Sequence, residues 1–289
     1  MAEPSRVNSH NGGVVVARRW WRFAPMAPIM SAWSHRKLIS RLAYRDIQAR
    51  YRGSIMGLAW SLIVPIFLLA VYTFVFSVVF QSRWGVPDTS KGHFALVLFC
   101  GLLVFNFFSD CITRAPTLIV SNASYVKKVV FPLEVLPWVS TLSALFNAGV
   151  GFVVLVAFYT YVEGTPYPSI LAAPIVLAPF MMLALGLSLF LSSLGVFLRD
   201  LQQFIGIIVT VVMFMSPLFY PIEALPVGYR EIVSWSPLTI AISQARSVLL
   251  YGQLPRLQEW IFSLVIGWTA LWLGFVWFNK TRKGFADVL

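Results

Sequence analysis

Apolar residues come in long blocks separated by short polar breaks, and the blocks set the list of elements. Six stand out, at roughly residues 55–80, 94–113, 136–161, 170–197, 201–221 and 258–279. A helix rises about 1.5 Å per residue, so about 20 residues cross the ~30 Å hydrocarbon core of a bilayer. Each block reaches that length. The pattern predicts an all-α integral membrane protein with six transmembrane helices. Several block edges carry residues that favour the membrane–water interface or break helices, among them Trp84, Tyr161, Tyr167 and Pro168.

Two segments follow other patterns. Between Leu38 and Arg52, the residues Arg41, Arg45, Gln48 and Arg52 fall on one helical stripe. Ile39, Ala43, Ile47 and Tyr51 fall on a second, roughly opposite. That is an amphipathic helix suited to the membrane interface, with Asp46 and Arg50 as a favourable i, i+4 pair. Gly53 then frees the chain to turn into the bilayer. An ordinary basic flank that only sets topology is the other reading of this stretch. The second segment, 222–257, is apolar but too short to span. Ser236-Pro237 is a helix start signal and Gly252 a stop, with Leu238, Ile242, Ala245 and Leu249 on one face between them.

Composition fits a chain whose main solvent is lipid. The 289 residues are 58% hydrophobic and 11% charged, against roughly 25% charged in soluble domains. The net charge of +11 would suit nucleic acid, but the cations sit beside apolar blocks, so no nucleic-acid partner is expected. Seventeen of the 22 Lys and Arg fall on one side of the six-span topology and five on the other. The positive-inside rule then places both termini in the cytoplasm. Residues 1–30 read as a mobile tail whose RRWWR cluster, at 18–22, contacts headgroups or is simply solvated. Residues 31–54 form the amphipathic helix and 55–289 the spanning domain.

Candidate chemistry is sparse. No G-x-x-x-x-G-K-[ST] phosphate loop occurs, and no catalytic triad or metal-ligand spacing. Catalytic and metal-binding residues are therefore expected to be none. Cys100 and Cys111, eleven residues apart in one block, cannot bridge within a helix. Asp110 and Arg114 are expected to pair with each other, and Asn106 and Asn147 to link helices.

The stretch LAYRDIQARYRGSIMGLAWSLIVPI (42–66) resembles the lead-in of ABC-2 type transporter permeases, in the branch that exports polysaccharide. The residues that carry the resemblance are Arg45, Asp46, Arg50, Tyr51, Gly57, Trp60 and Pro65. SNASYVKKVVFPLEVLP (121–137) is similar to the cytoplasmic segment before that family's third span, with Lys128, Phe131, Pro132, Glu134 and Pro137 in register. FLRDL (197–201), MSPLFYPIEALP (215–226) and SPLTIAISQARSVLLYG (236–252) follow in order. The likeness covers about residues 38–280.

The resemblance implies a transport subunit of the inner membrane, not an enzyme, with no cofactor of its own. Two copies would pair with two nucleotide-binding subunits that bind ATP and Mg. The cargo would be a lipid-linked polysaccharide. Lys127, Lys128, Phe131, Pro132, Glu134 and Pro137 would couple to the ATPase, although positive-inside charge alone also accounts for the lysines. Arg41, Arg45, Asp46, Arg50, Tyr51 and Arg52 would form the interfacial helix that meets the lipid headgroup. Trp60, Phe67 and Phe74 recur every seven residues, as helix-packing or lipid-facing side chains, or as a rail for sugar rings. Short re-entrant helices in 222–257, with Pro217, Tyr220, Pro221, Pro237 and Gly252, would form an external gate, or else an ordinary helical cap. An ABC-2 exporter of drugs or small amphipathic molecules is the alternative. A secondary transporter and a membrane glycosyltransferase fit less well, lacking mid-membrane ionisable groups with an internal repeat, or a catalytic acidic loop.

Overall fold

Within hydrocarbon a chain must satisfy its own backbone hydrogen bonds, and helices do so locally. The computed structural model describes residues 24–52, 56–75, 91–126 and 131–289. Among the described residues every regular element is helical. They are α1 (Ala27–Ser34), α2 (Arg36–Tyr51), α3 (Trp60–Tyr72), α4 (Lys91–Arg114), α5 (Val135–Val162) and α6 (Ala173–Phe197). After them come α7 (Leu201–Met215), α8 (Val227–Ser234), α9 (Pro237–Leu249) and α10 (Leu257–Thr281).

Among the described residues, five stretches are long and apolar enough to cross a membrane: Gly57–Val75, Gly92–Thr117, Val135–Val162, Pro168–Phe197 and Leu257–Val288. The sixth expected span, 201–221, is shorter than its apolar block. Helix α7 has 15 residues, about 22 Å. It stops because Pro217 disfavours helical geometry at the residue before it, and Ser216 is extended at φ −90°, ψ 148°. The 18–22 cluster and the Gly53 hinge lie outside the described residues.

The tightest contact joins α6 to α10. A Cβ on Gly267 would collide with the Pro179 carbonyl, and one on Gly274 with the carbonyl of Gly186. Small residues let the two backbones touch, which in lipid replaces the missing hydrophobic drive with close dispersion contact. Pro179 also interrupts α6 and frees the carbonyl of Ile175, four residues earlier. The Trp260 indole of α10 donates to that carbonyl at 3.3 Å.

Helix α4 is the centre of the bundle. Ala95, Leu96, Val97 and Cys100 are wholly buried against α5, α6 and α9. A second cluster gathers at the Arg114 end: Ile119, Leu136, Leu189, Phe278 and Phe285, with Ala27 of α1. Helix α2 uses its expected apolar stripe differently from a purely interfacial helix. Ile39 and Ala43 pack on Val135 and Val139 at the start of α5. Helix α3 is peripheral, with Leu69 its one fully buried residue.

The glycine seam generates a prediction. Gly274→Val forces the α6 and α10 backbones apart and costs roughly 1–3 kcal/mol or more. Gly149→Ala, where a Cβ meets no atom, costs nothing measurable. Thermal unfolding of the detergent-solubilised chain, followed by size exclusion, separates the two.

Candidate functional site

Where α2 crosses the end of α4, four charged side chains meet. Arg50 donates from Nη1 to Asp110 Oδ2 at 3.0 Å, and Arg114 donates from Nη2 to Asp46 Oδ2 at 3.1 Å. The local Arg50–Asp46 pair, expected from its spacing, is longer at 3.8 Å. The expected Asp110–Arg114 pair is replaced. Both are spaced i, i+4 on α4 and face an i, i+4 pair on α2 with the same Asp-then-Arg order, so the first residue of each pair takes the second of the other across the helix crossing. All four side chains are between 23% and 30% exposed, so the network is only partly desolvated. Asn147 of α5 adds a bond from Nδ2 to Asp110 Oδ2 at 3.4 Å, which ties a third helix to the set. That agrees with the helix-linking role expected of Asn147.

Beside this network lies a cavity of about 340 Å³ between α3, α4 and α5. Arg50, Asp110 and Asn147 reach it from the network. Trp60, Ser61 and Pro65 line it from α3, and Phe99 and Asn106 from α4. Asn106, expected to link helices, is instead exposed in this cavity. Ala144, Ala148 and Gly151 leave the α5 wall low. Along α4 the cavity runs from Phe99 to Asp110, about 16 Å. Trp60, Phe67 and Phe74 are all exposed among the described residues. Only Trp60 of the three lines the cavity.

The polar stripe of α2 faces outward as its periodicity predicts: Arg41, Arg45, Gln48 and Arg52 are exposed. Arg45 also reaches inward along the chain, donating from Nη2 to the Tyr125 hydroxyl at 2.6 Å. The Tyr125 ring stacks on Phe131 at 4.4 Å between centroids. Of the expected coupling residues, Lys127 and Lys128 lie outside the described residues. Phe131 and Pro132 are half-buried, and Pro137 is buried in the first turn of α5. Glu134 is buried too and accepts a 2.8 Å bond from Arg282, beyond the end of α10. It therefore ties the loop to the C-terminal segment.

At the opposite end the structure adds a residue that sequence reasoning missed. Arg246 of α9 is buried, with a guanidinium that donates to the carbonyls of Val97 (3.1 Å), Pro217 (2.9 Å) and Leu218 (3.3 Å). It thus serves the backbone just past the break at Ser216-Pro217 and grips α4. A Cβ on Gly101 would stand 2.8 Å from Arg246 Nη2, so this glycine makes room for the group. In the sequence Arg246 counts among the five cations of the outer side, but it is no surface charge. The signal for burial was its position one turn after Ile242, on the apolar side of α9. The other expected gate residues cluster here. Tyr220 donates to the Phe214 carbonyl at 3.1 Å, and Pro237 opens α9. Pro221, extended at ψ 145°, precedes the 3-10 turn Ile222–Ala224. Gly252 has φ +69°, close against the Tyr167 ring.

Loss of this clamp is measurable. Arg246→Leu leaves buried carbonyls without donors, at about 1–3 kcal/mol for each one left unsatisfied. Arg246→Lys recovers only part, because an ammonium lacks the planar fork. Gly101→Leu displaces the guanidinium and lowers the thermal midpoint in the same direction. An unchanged midpoint in Arg246→Leu would remove the clamp.

Comparison with known proteins matches this geometry to one family. The model of the ABC-2 type transporter family matches residues 37–250, from α2 to just past α9. The O-antigen export system permease protein RfbA of Klebsiella pneumoniae is 28% identical over 258 residues, covering 87% of this chain and 95% of the relative. The Myxococcus xanthus RfbA is 24% identical over 261 residues, 90% and 98% of the two chains. The polysialic acid transport protein KpsM of Escherichia coli is 21% identical over 215 residues, 74% and 81%. With apolar helices of spanning length and a family match over most of its length, the chain is a multi-pass membrane protein that belongs to the ABC-2 type transporter family, in its polysaccharide-export branch.

Proposed function

We propose that two copies of this chain and two nucleotide-binding subunits form an ATP-driven exporter of a lipid-linked polysaccharide across the inner membrane, with both termini cytoplasmic. ATP and Mg would be bound by the partner subunits. The observation that carries this reading is the seating of α2. Its apolar stripe rests on α5 while Arg41, Arg45 and Arg52 face outward at the end of the bundle, beside a cavity in the membrane domain. A pyrophosphate carried on a lipid crosses hydrocarbon only at high cost, and arginine's planar fork binds phosphate oxygens in pairs. An outward arginine row at the inner interface is where that headgroup would dock.

The remaining parts follow the same direction. The chain Arg45–Tyr125–Phe131 links α2 to segment 121–137, where a partner would push. Glu134 and Arg282 would keep that segment moving with α10. The glycan would pass the exposed faces of Trp60, Phe67 and Phe74, whose rings stack on sugars without a fixed register. Helices α8 and α9 would form the external gate. The exposed apolar face of α7, which includes Phe204 and Phe214, would meet the second copy.

Two experiments test this. In cells, Arg41→Gln with Arg52→Gln should cut surface polysaccharide about tenfold, equal to ~1.4 kcal/mol, while lipid-linked polymer accumulates inside. Lys at both sites should restore only part of the export. Normal surface glycan in the Gln variants, with the chain at normal level in the membrane, removes the headgroup role. The purified chain alone should show background ATPase, with activity appearing when a nucleotide-binding subunit copurifies. Robust hydrolysis by the lone chain refutes the division of labour, and a cargo of small amphipathic molecules with unaltered polysaccharide refutes the substrate.

A further inference from the structure

The cavity between α3, α4 and α5 has a polarity that does not suit the headgroup proposed for α2. Ser61, Asn106, Asp110 and Asn147 come from three different helices and line one space. Polar side chains in spanning segments are expensive and mark pathways more often than packing. Charge is the informative property. Arg50 is matched by Asp110, and Arg114 by Asp46. Among the described residues the wall therefore holds no surplus cation: Arg50 Nη2 has no partner but is buried, and the other charged group offered to a ligand is the Asp110 carboxylate. An anion entering here would face Asp110 without gaining a new counter-charge.

We propose that this cavity is a sugar subsite selective for uncharged glycan residues. The inference rests on the export reading above and narrows its substrate class. A neutral pyranose carries hydroxyls that both donate and accept. It can donate to the Asp110 carboxylate and accept from the amide of Asn106, which is exposed in the cavity. The Trp60 ring supplies an apolar face for the C–H side of the sugar. At about 340 Å³ the space lies at the small end of ligand pockets, which run from roughly 300 to 1,000 Å³. The division of labour is spatial: phosphate on the outward arginines of α2, sugar in the neutral cavity behind them. A glycan of acidic sugars would be disfavoured at Asp110.

The test uses the permease copurified with its nucleotide-binding subunit in detergent. The probes are maltotetraose, which is neutral, and tetragalacturonate, which is acidic. Maltotetraose should give saturable quenching of tryptophan fluorescence that is lost in Trp60→Phe. Tetragalacturonate should bind at least about tenfold more weakly, the effect of one unfavourable polar contact. Asn106→Leu, at an exposed position whose replacement does not disturb packing, should weaken maltotetraose binding by a similar factor, and Asn106→Gln should not. Asp110→Asn should close the gap between the two probes. Equal or tighter binding of the acidic probe, absence of saturable quenching, or an Asn106→Leu variant that binds as wild type overturns the subsite. Export in cells lacking this chain separates the two levels. If the surface polysaccharide persists without it, the export reading falls. If it disappears while the probes fail, only the subsite falls.

Discussion

A backbone carbonyl freed inside a low-dielectric region must find a donor, and the architecture around α7 and α9 follows from that demand. The break at Ser216-Pro217 would leave peptide groups stranded. Arg246 answers with one planar group that reaches Pro217, Leu218 and the Val97 carbonyl of α4 at once. The three carbonyl dipoles all point their negative ends at the charge. The arrangement fixes several other choices. Gly101 must lack a Cβ, and α9 must bury its apolar face so that the guanidinium arrives at the break. The same demand recurs at Pro179, where Trp260 supplies the donor. The breaks at Pro217 and Pro179 are thus each paired with a specific donor from a neighbouring helix.

Between α6 and α10 the constraint is volume, not polarity. Glycines at 186, 267 and 274 let backbone touch backbone, which makes this pair the rigid half of the chain. Helices α3 and α7 lack such a seam. Their exposed Phe, Leu and Ile side chains cost nothing in lipid, where hydrocarbon is as good a neighbour as protein. Their loose attachment is therefore stable in a membrane, and it leaves the α3 wall of the cavity and the break at Pro217 on the most adjustable elements. Rigid seam and loosely held cavity wall are the two mechanical requirements of a proposed gate.

Much of this was legible in the sequence. The block lengths gave four spans nearly to the residue, the α2 stripes gave its inward and outward faces, and Ser236-Pro237 and Gly252 bracketed α9. Where sequence reasoning failed, a three-dimensional partner decided the outcome. The helix α7 ended early because a local proline rule outweighs an apolar run. Asp110 and Arg114 look like a pair along α4, yet a second i, i+4 pair on α2 offered each a partner across the crossing. Periodicity within one helix carries no information about that competition. Arg246 was hidden for a related reason: a cation in a short loop helix reads as a surface charge until the carbonyls that receive it are in view. The seam glycines at 186, 267 and 274 were equally silent, because a glycine in an apolar run looks the same whether it faces lipid or a backbone.

Five arginines of this chain fall into three roles, and what separates them is the kind of acceptor within reach. Arg41 and Arg52 lie on the exposed stripe of α2 and remain available to an anion. Arg50 and Arg114 lie on its contact with α4, where the carboxylates of Asp46 and Asp110 occupy them. Arg246 donates to three backbone carbonyls, and becomes part of the scaffold. A shift of α2 by one turn would carry Arg50 away from Asp110 and leave that carboxylate unpaired in the cavity it already lines. Helix position thus controls the charge of the cavity. Under the proposed coupling through Arg45, Tyr125 and Phe131, a push on segment 121–137 would act on that position. The binding preference of the cavity and the movement of α2 would then be one event, with the ion network setting its energetic threshold.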